Sequence, residues 1–284
     1  MKITRRSFLK YLLVGSSITI GLNSFESYVY AYEPSKINVE KVNVTIPHLP
    51  KEFESFTIAQ LSDLHRSKVV KKSLIDKTIK IVNALKPDCI VITGDLANNL
   101  IYLSDVMESI NTLKAPFGVY IVMGNWERFY GDKESQLILR KSKVKLLYDQ
   151  TIFFKINKQQ ICLAGVSDDG GIGSTLKKTF ANVDDSYVKI LLSHNPYITV
   201  NRHKAKKRID LILSGHTHGG QIVYPFIGPI AIPTAFGKKY PAGMYYFDDS
   251  KLYVNRGIGV VTVPYRVNCP PEITLFSLKK SVIK

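Results

Sequence analysis

The chain has the pattern of an α/β protein, on three observations. Its apolar runs, such as Cys89-Ile90-Val91-Ile92-Thr93, are continuous rather than alternating, as strands buried on both faces should be. A stretch of helical spacing (Leu74, Ile75, Ile79, Val82, Leu85) stands before that run and is closed by Pro87. Five runs end in a short polar cluster, and side chains at the carboxyl ends of adjacent strands can converge on one crevice while the sheet holds them rigidly.

Residues 1–35 stand apart. Arg5-Arg6 followed by Phe8-Leu9-Lys10 precedes a mildly apolar run over 11–22, which fits a twin-arginine export signal with small residues at Val29-Tyr30-Ala31 for cleavage. The run carries Gly15, Ser16, Ser17 and Thr19 and is short and weak for a membrane span. The alternative is an uncleaved membrane anchor. The expected place is therefore membrane-associated or exported, with the extracytoplasmic face favoured. Residues 36–284 show no internal repeat, low-complexity tract or linker and are expected to form one domain.

Along that domain, residues 37–46 alternate and predict a half-exposed strand, ended by Pro47 and Pro50. A more apolar strand over 56–61 runs directly into Asp63-Leu64-His65. After the helix over 74–85, the strand over 89–93 delivers Gly94-Asp95. A short helix is expected over 105–113, and the buried strand over 119–123 delivers Gly124-Asn125. Residues 134–143 have helical character, and strand-like pieces follow at 145–147, 152–156 and 161–164. The run over 188–192 leads into Ser193-His194-Asn195, and that over 209–213 into Gly215-His216-Thr217-His218. The tail over 221–278, rich in Pro, Gly, Tyr and β-branched residues, predicts strands and loops. Glycines before Asp95, Asn125 and His216 permit tight turns and close backbone approach.

The chain has 284 residues, 45% of them hydrophobic and 22% charged, enough for one large domain with a substantial core. Lys plus Arg number 39 against 23 Asp plus Glu, a net charge of +16. Lys2, Arg5, Arg6 and Lys10 against Glu26 account for three of those charges, so the rest carries +13. Such a chain favours anionic partners: phosphorylated substrates, acidic lipid headgroups or nucleic acid. Nucleic acid is the weakest of these, since no stacking platform or recognition motif is visible. The three cysteines, Cys89, Cys162 and Cys269, are far apart and odd in number, which argues against a disulfide framework or a thiolate metal site. Four of the six histidines fall in the strand-end clusters, whereas His48 and His203 fit none. A pair of hard cations needs carboxylate, imidazole and amide ligands from separate strands, and a packed core needs none of them.

In order and content the five clusters resemble the calcineurin-like metallophosphoesterase superfamily, over nearly all of residues 37–278. The resemblance is strongest to its exported or membrane-associated bacterial branch, through Leu49-Pro50-Lys51-Glu52-Phe53, Gly215 to Gln221, Asn255 to Gly259 and Pro264-Tyr265-Arg266. It implies a four-layer α/β/β/α sandwich of two mixed β-sheets flanked by helices. It also implies two divalent metal ions. Asp63, His65 and His218 would hold one, Asn125, His194 and His216 the other, and Asp95 would bridge them. Asp95, Asn125 and His194 would thereby be catalytic. With no cysteine among the ligands, Mn²⁺, Fe²⁺/Fe³⁺ or Zn²⁺ all fit. Arg256 and Arg266 are candidates for gripping substrate phosphate.

The sequence departs from the superfamily at Trp126, where Gly-Asn-His is usual. Tryptophan donates one indole N–H but transfers no proton at neutral pH. General acid catalysis is lost there, a role worth roughly 10²–10⁴-fold. Pyrophosphate-type or activated phosphodiester substrates tolerate that loss, because their leaving group is stable as an anion. The UDP-diacylglucosamine pyrophosphatases of lipid A synthesis, in the same superfamily, also lack that histidine. A UDP-2,3-diacylglucosamine-type lipid at the membrane, or another envelope phospho-compound, is the substrate expected, with Trp126 contacting it and no obligate protein partner indicated. UDP-linked lipids lie on the cytoplasmic leaflet, so a working export signal would favour the second. A nuclease or nucleotide phosphodiesterase and a metal-binding pseudoenzyme on anionic envelope polymer are the competing readings. Asn98, where the superfamily often has Asp, is expected to tune a ligand.

Overall fold

The computed structural model describes residues 33–230, 232 and 239–281, so the expected export signal or anchor lies almost wholly outside the described residues. The chain begins β1 (Asn38–Ile46), β2 (Thr57–Leu61), α1 (Lys72–Leu85), β3 (Cys89–Thr93), α2 (Leu100–Ile110) and β4 (Val119–Val122). It continues α3 (Asn125–Phe129), α4 (Asp132–Arg140), β5 (Lys145–Leu146), β6 (Gln150–Ile156), β7 (Gln159–Gly165), α5 (Leu176–Thr179) and β8 (Val188–Leu192). A 3₁₀ segment, Pro196–Ala205, precedes β9 (Leu211–Ser214), then β10 (Val223–Tyr224), β11 (Gly228–Pro229), β12 (Gly243–Tyr246), β13 (Lys251–Val254) and β14 (Glu272–Lys280).

Two six-stranded mixed sheets result, in the orders β1-β14-β2-β3-β4-β5 and β12-β13-β9-β8-β7-β6, with β10 and β11 as a separate hairpin. In the first, β2, β3, β4 and β5 run parallel and β14 is antiparallel to β2. In the second, β7, β8, β9 and β13 run parallel while β6 and β12 are antiparallel edges. The period of two along each strand distributes its side chains between layers. On β3, Ile90 and Ile92 pack outward among Val82, Val106 and Leu139 of the helices, whereas Cys89 and Val91 pack inward. There they meet Leu163, Ile190 and Leu213 of the second sheet. On that sheet Leu191 and Ile212 face a third apolar layer with Leu176, Phe180 and Ile198. The continuous apolar runs are thus strands covered on both faces, and the four-layer sandwich expected from the sequence is present. Its outer layer over the second sheet is made of short pieces, α5 and the 3₁₀ segment, rather than long helices.

Helix α2 begins at Leu100, five residues before the expected start at 105, because the Asn99 side chain caps it by accepting from the Tyr102 N–H at 2.8 Å. Helix α3 was not foreseen. It is a single turn following the third polar cluster, too short to show a period. The cysteines are free and buried. Among the described residues no helix is long and apolar enough to cross a membrane.

Candidate metal centre

Adjacent strands β2, β3 and β4 of one sheet and β8 and β9 of the other end at a common edge, and all five polar clusters lie just past those ends. Two groups form there. Asp63, His65 and His218 offer ligand atoms mutually within 4.8 Å, as do Asp95, His194 and His216. Asp95 joins them: its Oδ2 lies 3.5 Å from His65 Nε2 and 3.2 Å from His194 Nε2. Asn125 Oδ1 lies 3.0 Å from His194 Nε2. The structure therefore brings together all seven residues singled out from the sequence as ligands, with Asp95 in the middle.

The nitrogens meet in a way that calls for a cation. The His194 Nδ1–H donates to the Thr93 carbonyl at 2.7 Å, which leaves the Nε2 lone pair pointing into the cluster. That lone pair faces the Asn125 oxygen, the Asp95 carboxylate and His216 Nδ1, the last at 3.0 Å. His65 Nδ1 is held by Asn98 Oδ1 at 2.7 Å, and its Nε2 faces His218 Nε2 at 3.1 Å. Imidazole nitrogens, a carboxylate and an amide oxygen thus crowd together in a pocket where Asp63, His65 and His194 are fully buried. A cation in each group resolves both conflicts, and the carboxylate, imidazole and amide donors fit a hard or borderline divalent ion.

Charge within the cluster shows the same tension. Burial pushes the Asp63 and Asp95 carboxyls up, but His218 beside Asp63 and His194 beside Asp95 outweigh it and hold both below the usual range. Burial lowers His65 and His216, each to about 4. His194 goes the other way, well above its ordinary value, since Asp95 and Asp63 overcome its burial. Without a metal, His194 carries the compensating proton.

Local backbone is bent to aim these ligands. Asp63, His65, Asp95, His216 and His218 all have positive φ, between 45° and 74°. Left-handed backbone at a non-glycine residue costs of order 1–3 kcal/mol and persists only where its surroundings enforce it. Two glycines make room. A Cβ on Gly124 would sit 2.2 Å from Asp95 Oδ1, and one on Gly215 would sit 2.2 Å from Asp63 Oδ2.

Glu127 enforces much of the rest. Its buried carboxylate accepts the backbone N–H of Asp95 (2.9 Å), Leu96 (2.7 Å) and Gly124 (2.8 Å), so it ties the second cluster to the third. Burial and the nearby Asp95 push it up to about 7. Sequence reasoning passed it over, although an acid three residues after a strand-ending glycine is a helix-start signal. Asp168 was missed too. It is buried just past β7, feels His194 and Asp95, and follows the same strand-end pattern as the ligands.

Two expectations are overturned. Arg266 is fully buried and grips no substrate. Its guanidinium donates to the carbonyls of Arg256 (2.9 Å), Gly259 (2.6 Å) and Cys269 (3.0 Å), a set that a planar five-donor group can satisfy. Arg256 is committed to Glu272 at 2.6 Å and Glu40 at 2.5 Å. The Asn255 to Gly259 motif instead supports the first ligand loop, where the Gly259 N–H donates to the Asp63 carbonyl at 2.7 Å. Trp126 does stand beside the centre. Its ring meets His65 edge to face at 5.4 Å, and its backbone N–H donates to Asp95 Oδ1 at 2.9 Å. Asn98, expected to tune a ligand, stands against His65 Nδ1. His48 lies elsewhere, paired with Asp210.

Comparison with known proteins agrees with this geometry. The Calcineurin-like phosphoesterase family profile matches residues 56–220. The metallophosphoesterase YkuE of Bacillus subtilis is 33% identical over 289 residues, covering 99% of each chain. The phosphodiesterase YaeI of Escherichia coli is 29% identical, covering 97% of this chain and 99% of its own. A transmembrane protein with metallophosphoesterase domain from Bos taurus is 30% identical over 85% of this chain, which spans 57% of that longer protein.

Proposed function

Since this chain belongs to the calcineurin-like phosphoesterase family, metal-dependent hydrolases of phosphoester bonds with a dinuclear divalent centre, we propose that it cleaves pyrophosphate or activated phosphodiester bonds in a phosphorylated envelope compound at the membrane. A UDP-2,3-diacylglucosamine-type lipid is the specific candidate. In this reading Asp63, His65 and His218 hold one ion, Asn125, His194 and His216 the other, and Asp95 both. When bound, such a pair supplies an activated water and neutralises charge on the phosphoryl oxygens.

The chain's own residues decide which leaving group can depart. The observation that carries the proposal is Trp126, whose indole stands against His65 where a proton donor would otherwise serve. An indole N–H can bond to a leaving oxygen but cannot protonate it. Cleaving P–O–P expels a phosphate monoester, with a second pKa near ~6, which leaves as an anion. Cleaving an alkyl phosphate expels an alkoxide, which needs the missing proton. Asn98 and the Thr93 carbonyl fix the two imidazoles, and Glu127 keeps the Asp95 and Asn125 loops in register. With Arg256 and Arg266 committed elsewhere, exposed Arg128, within electrostatic reach of Asp168, is the cation offered to a substrate phosphate in this reading. The basic chain suits an anionic membrane surface; with the domain on the cytoplasmic leaflet the substrate is the UDP-linked lipid, and with the domain exported it is another envelope phospho-compound.

The test is a substrate panel with Mn²⁺: an alkyl phosphate monoester, an activated aryl diester and a diacylated nucleoside diphosphate sugar. Turnover of the last two with little of the first is expected. Preference for the alkyl ester would overturn the role given to Trp126.

A further inference from the structure

We infer that the β10–β11 hairpin inserts into the acyl layer of an anionic bilayer, and that the apolar groove beneath it receives an acyl chain of the substrate, an inference that rests on the lipid reading above. The hairpin exposes apolar side chains at its tip and just past β11. Phe226 is fully exposed, Ile227 is 76% exposed and Ile230 53%. Phe226 also has φ 68°, a left-handed backbone that a bulky residue seldom adopts. A strained and exposed aromatic at a loop tip gains nothing within the molecule, and the inference runs from that outlier to a function.

Beneath the tip lies a groove of about 340 Å³ lined by Gly220, Gln221, Ile222, Ile230, Val261 and Val263. Gly220 and Gln221 lie two and three residues after His218. The Gln221 side chain fastens the far wall by donating to the Val261 carbonyl at 3.0 Å and accepting from its N–H at 2.6 Å. The groove is thus built onto the ligand loop, so a chain lying in it would hold its phosphate toward the centre.

Two features favour a bilayer over a protein partner. The loop that walls the groove continues into a second hollow, lined by Val260 and Pro264 together with Pro34, Ser35, Val69 and Lys71. The described chain therefore begins on this same side, where the expected signal or anchor joins it. The rim there is basic around an apolar point, with exposed Lys68 and Lys71 flanking Val69, itself 55% exposed. An exposed apolar side chain set between lysines matches acyl chains below anionic headgroups. Each buried methylene adds roughly fourfold to such binding.

The experiment uses the full chain. Ile227→Cys is labelled with an environment-sensitive fluorophore, which is selective because the native cysteines are buried, and mixed with phosphatidylcholine vesicles with and without 30% phosphatidylglycerol. A blue shift and brightening on the anionic vesicles is expected. No change at that position overturns the inference, even if the protein binds the vesicles elsewhere. A change that follows protein concentration without vesicles would show that a second copy covers the hairpin, and would also overturn it. In parallel, Phe226→Ser/Ile227→Ser should hydrolyse a soluble aryl diester within twofold of wild type while losing at least tenfold on a diacylated pyrophosphate in vesicles, through KM. Equal loss on both, or on neither, counts against the hairpin. If the wild type turns over the soluble diester and no lipid, the substrate reading fails by itself while the fluorophore still reports on insertion.

Discussion

The two halves of the centre are built differently. Asp63, His65 and His218 are buried to within 1% and backed by a scaffold of backbone bonds from Ile258 and Gly259, with Arg266 closing the loop behind them. Asn125 and His216 are only half-buried, and exposed Arg128 lies one helical turn after Asn125. The first half is part of the core that happens to end in ligands. The second is a doorway. Each combines an imidazole pair with an oxygen donor beside Asp95, and their ligand chemistry differs only in that donor, the Asp63 carboxylate in the first and the neutral Asn125 amide in the second. The difference lies in what stands behind each ligand, and it implies that substrate approaches over the second half.

The most severe way to break this comparison is Asp95→Asn, which touches both halves. Turnover should fall by roughly 10³-fold or more, and bound metal, measured by elemental analysis, should fall in both groups. Retained turnover with two ions bound would remove Asp95 from its bridging role. Next is Arg266→Ala, which attacks the first half from behind. Several carbonyls lose their donor, so thermal unfolding should report a loss of about 3 kcal/mol or more. An unchanged melting temperature with raised KM would instead restore Arg266 to the substrate.

Smaller effects sharpen the contrast. Metal loading at pH 7 should release about one proton, and it should come from the second half. His194 is held well above its ordinary value and is protonated before the ion arrives, whereas His65 and His216, each near 4, are already neutral. As pH rises through the value for His194 the release should vanish. Calorimetry in buffers of different ionisation enthalpy reads this directly, and release that accompanies only the more buried ion would reverse the assignment. The mildest expectation is Trp126→His, which should speed hydrolysis of poor leaving groups by roughly tenfold with little change for good ones. An equal effect on both would mean that the indole shapes the pocket and nothing more.

Particular residues show where sequence reading reached its end. The strand-end clusters were legible because each rides directly on an apolar run whose burial sets its position, and Asp63, Asp95 and His194 were read as ligands only through the resemblance of all five clusters, in order, to the superfamily. Arg256 and Arg266 were misassigned because a guanidinium offers the same donors to a phosphate, a carboxylate or a backbone carbonyl. Only the folded loop of residues 255–269 shows that carbonyls and carboxylates claimed them. Asp168 carried the same strand-end signal as the ligands, yet a lone acid after a strand is more often a turn former. Glu127 lay in plain view within Gly124-Asn125-Trp126-Glu127, but its three backbone partners come together from two strands.

By itself, then, the order of apolar runs and polar clusters pointed to an α/β architecture with polar ligands at its strand ends, since hydrophobic period is a local property; the resemblance to the metallophosphoesterase superfamily, carried by those same clusters, named the seven converging side chains. The tertiary structure alone decided how they converge. Five of those seven adopt left-handed backbone, a cost no isolated segment would bear. It is met only when the two packed sheets, Glu127 and the buried arginine hold every loop at once.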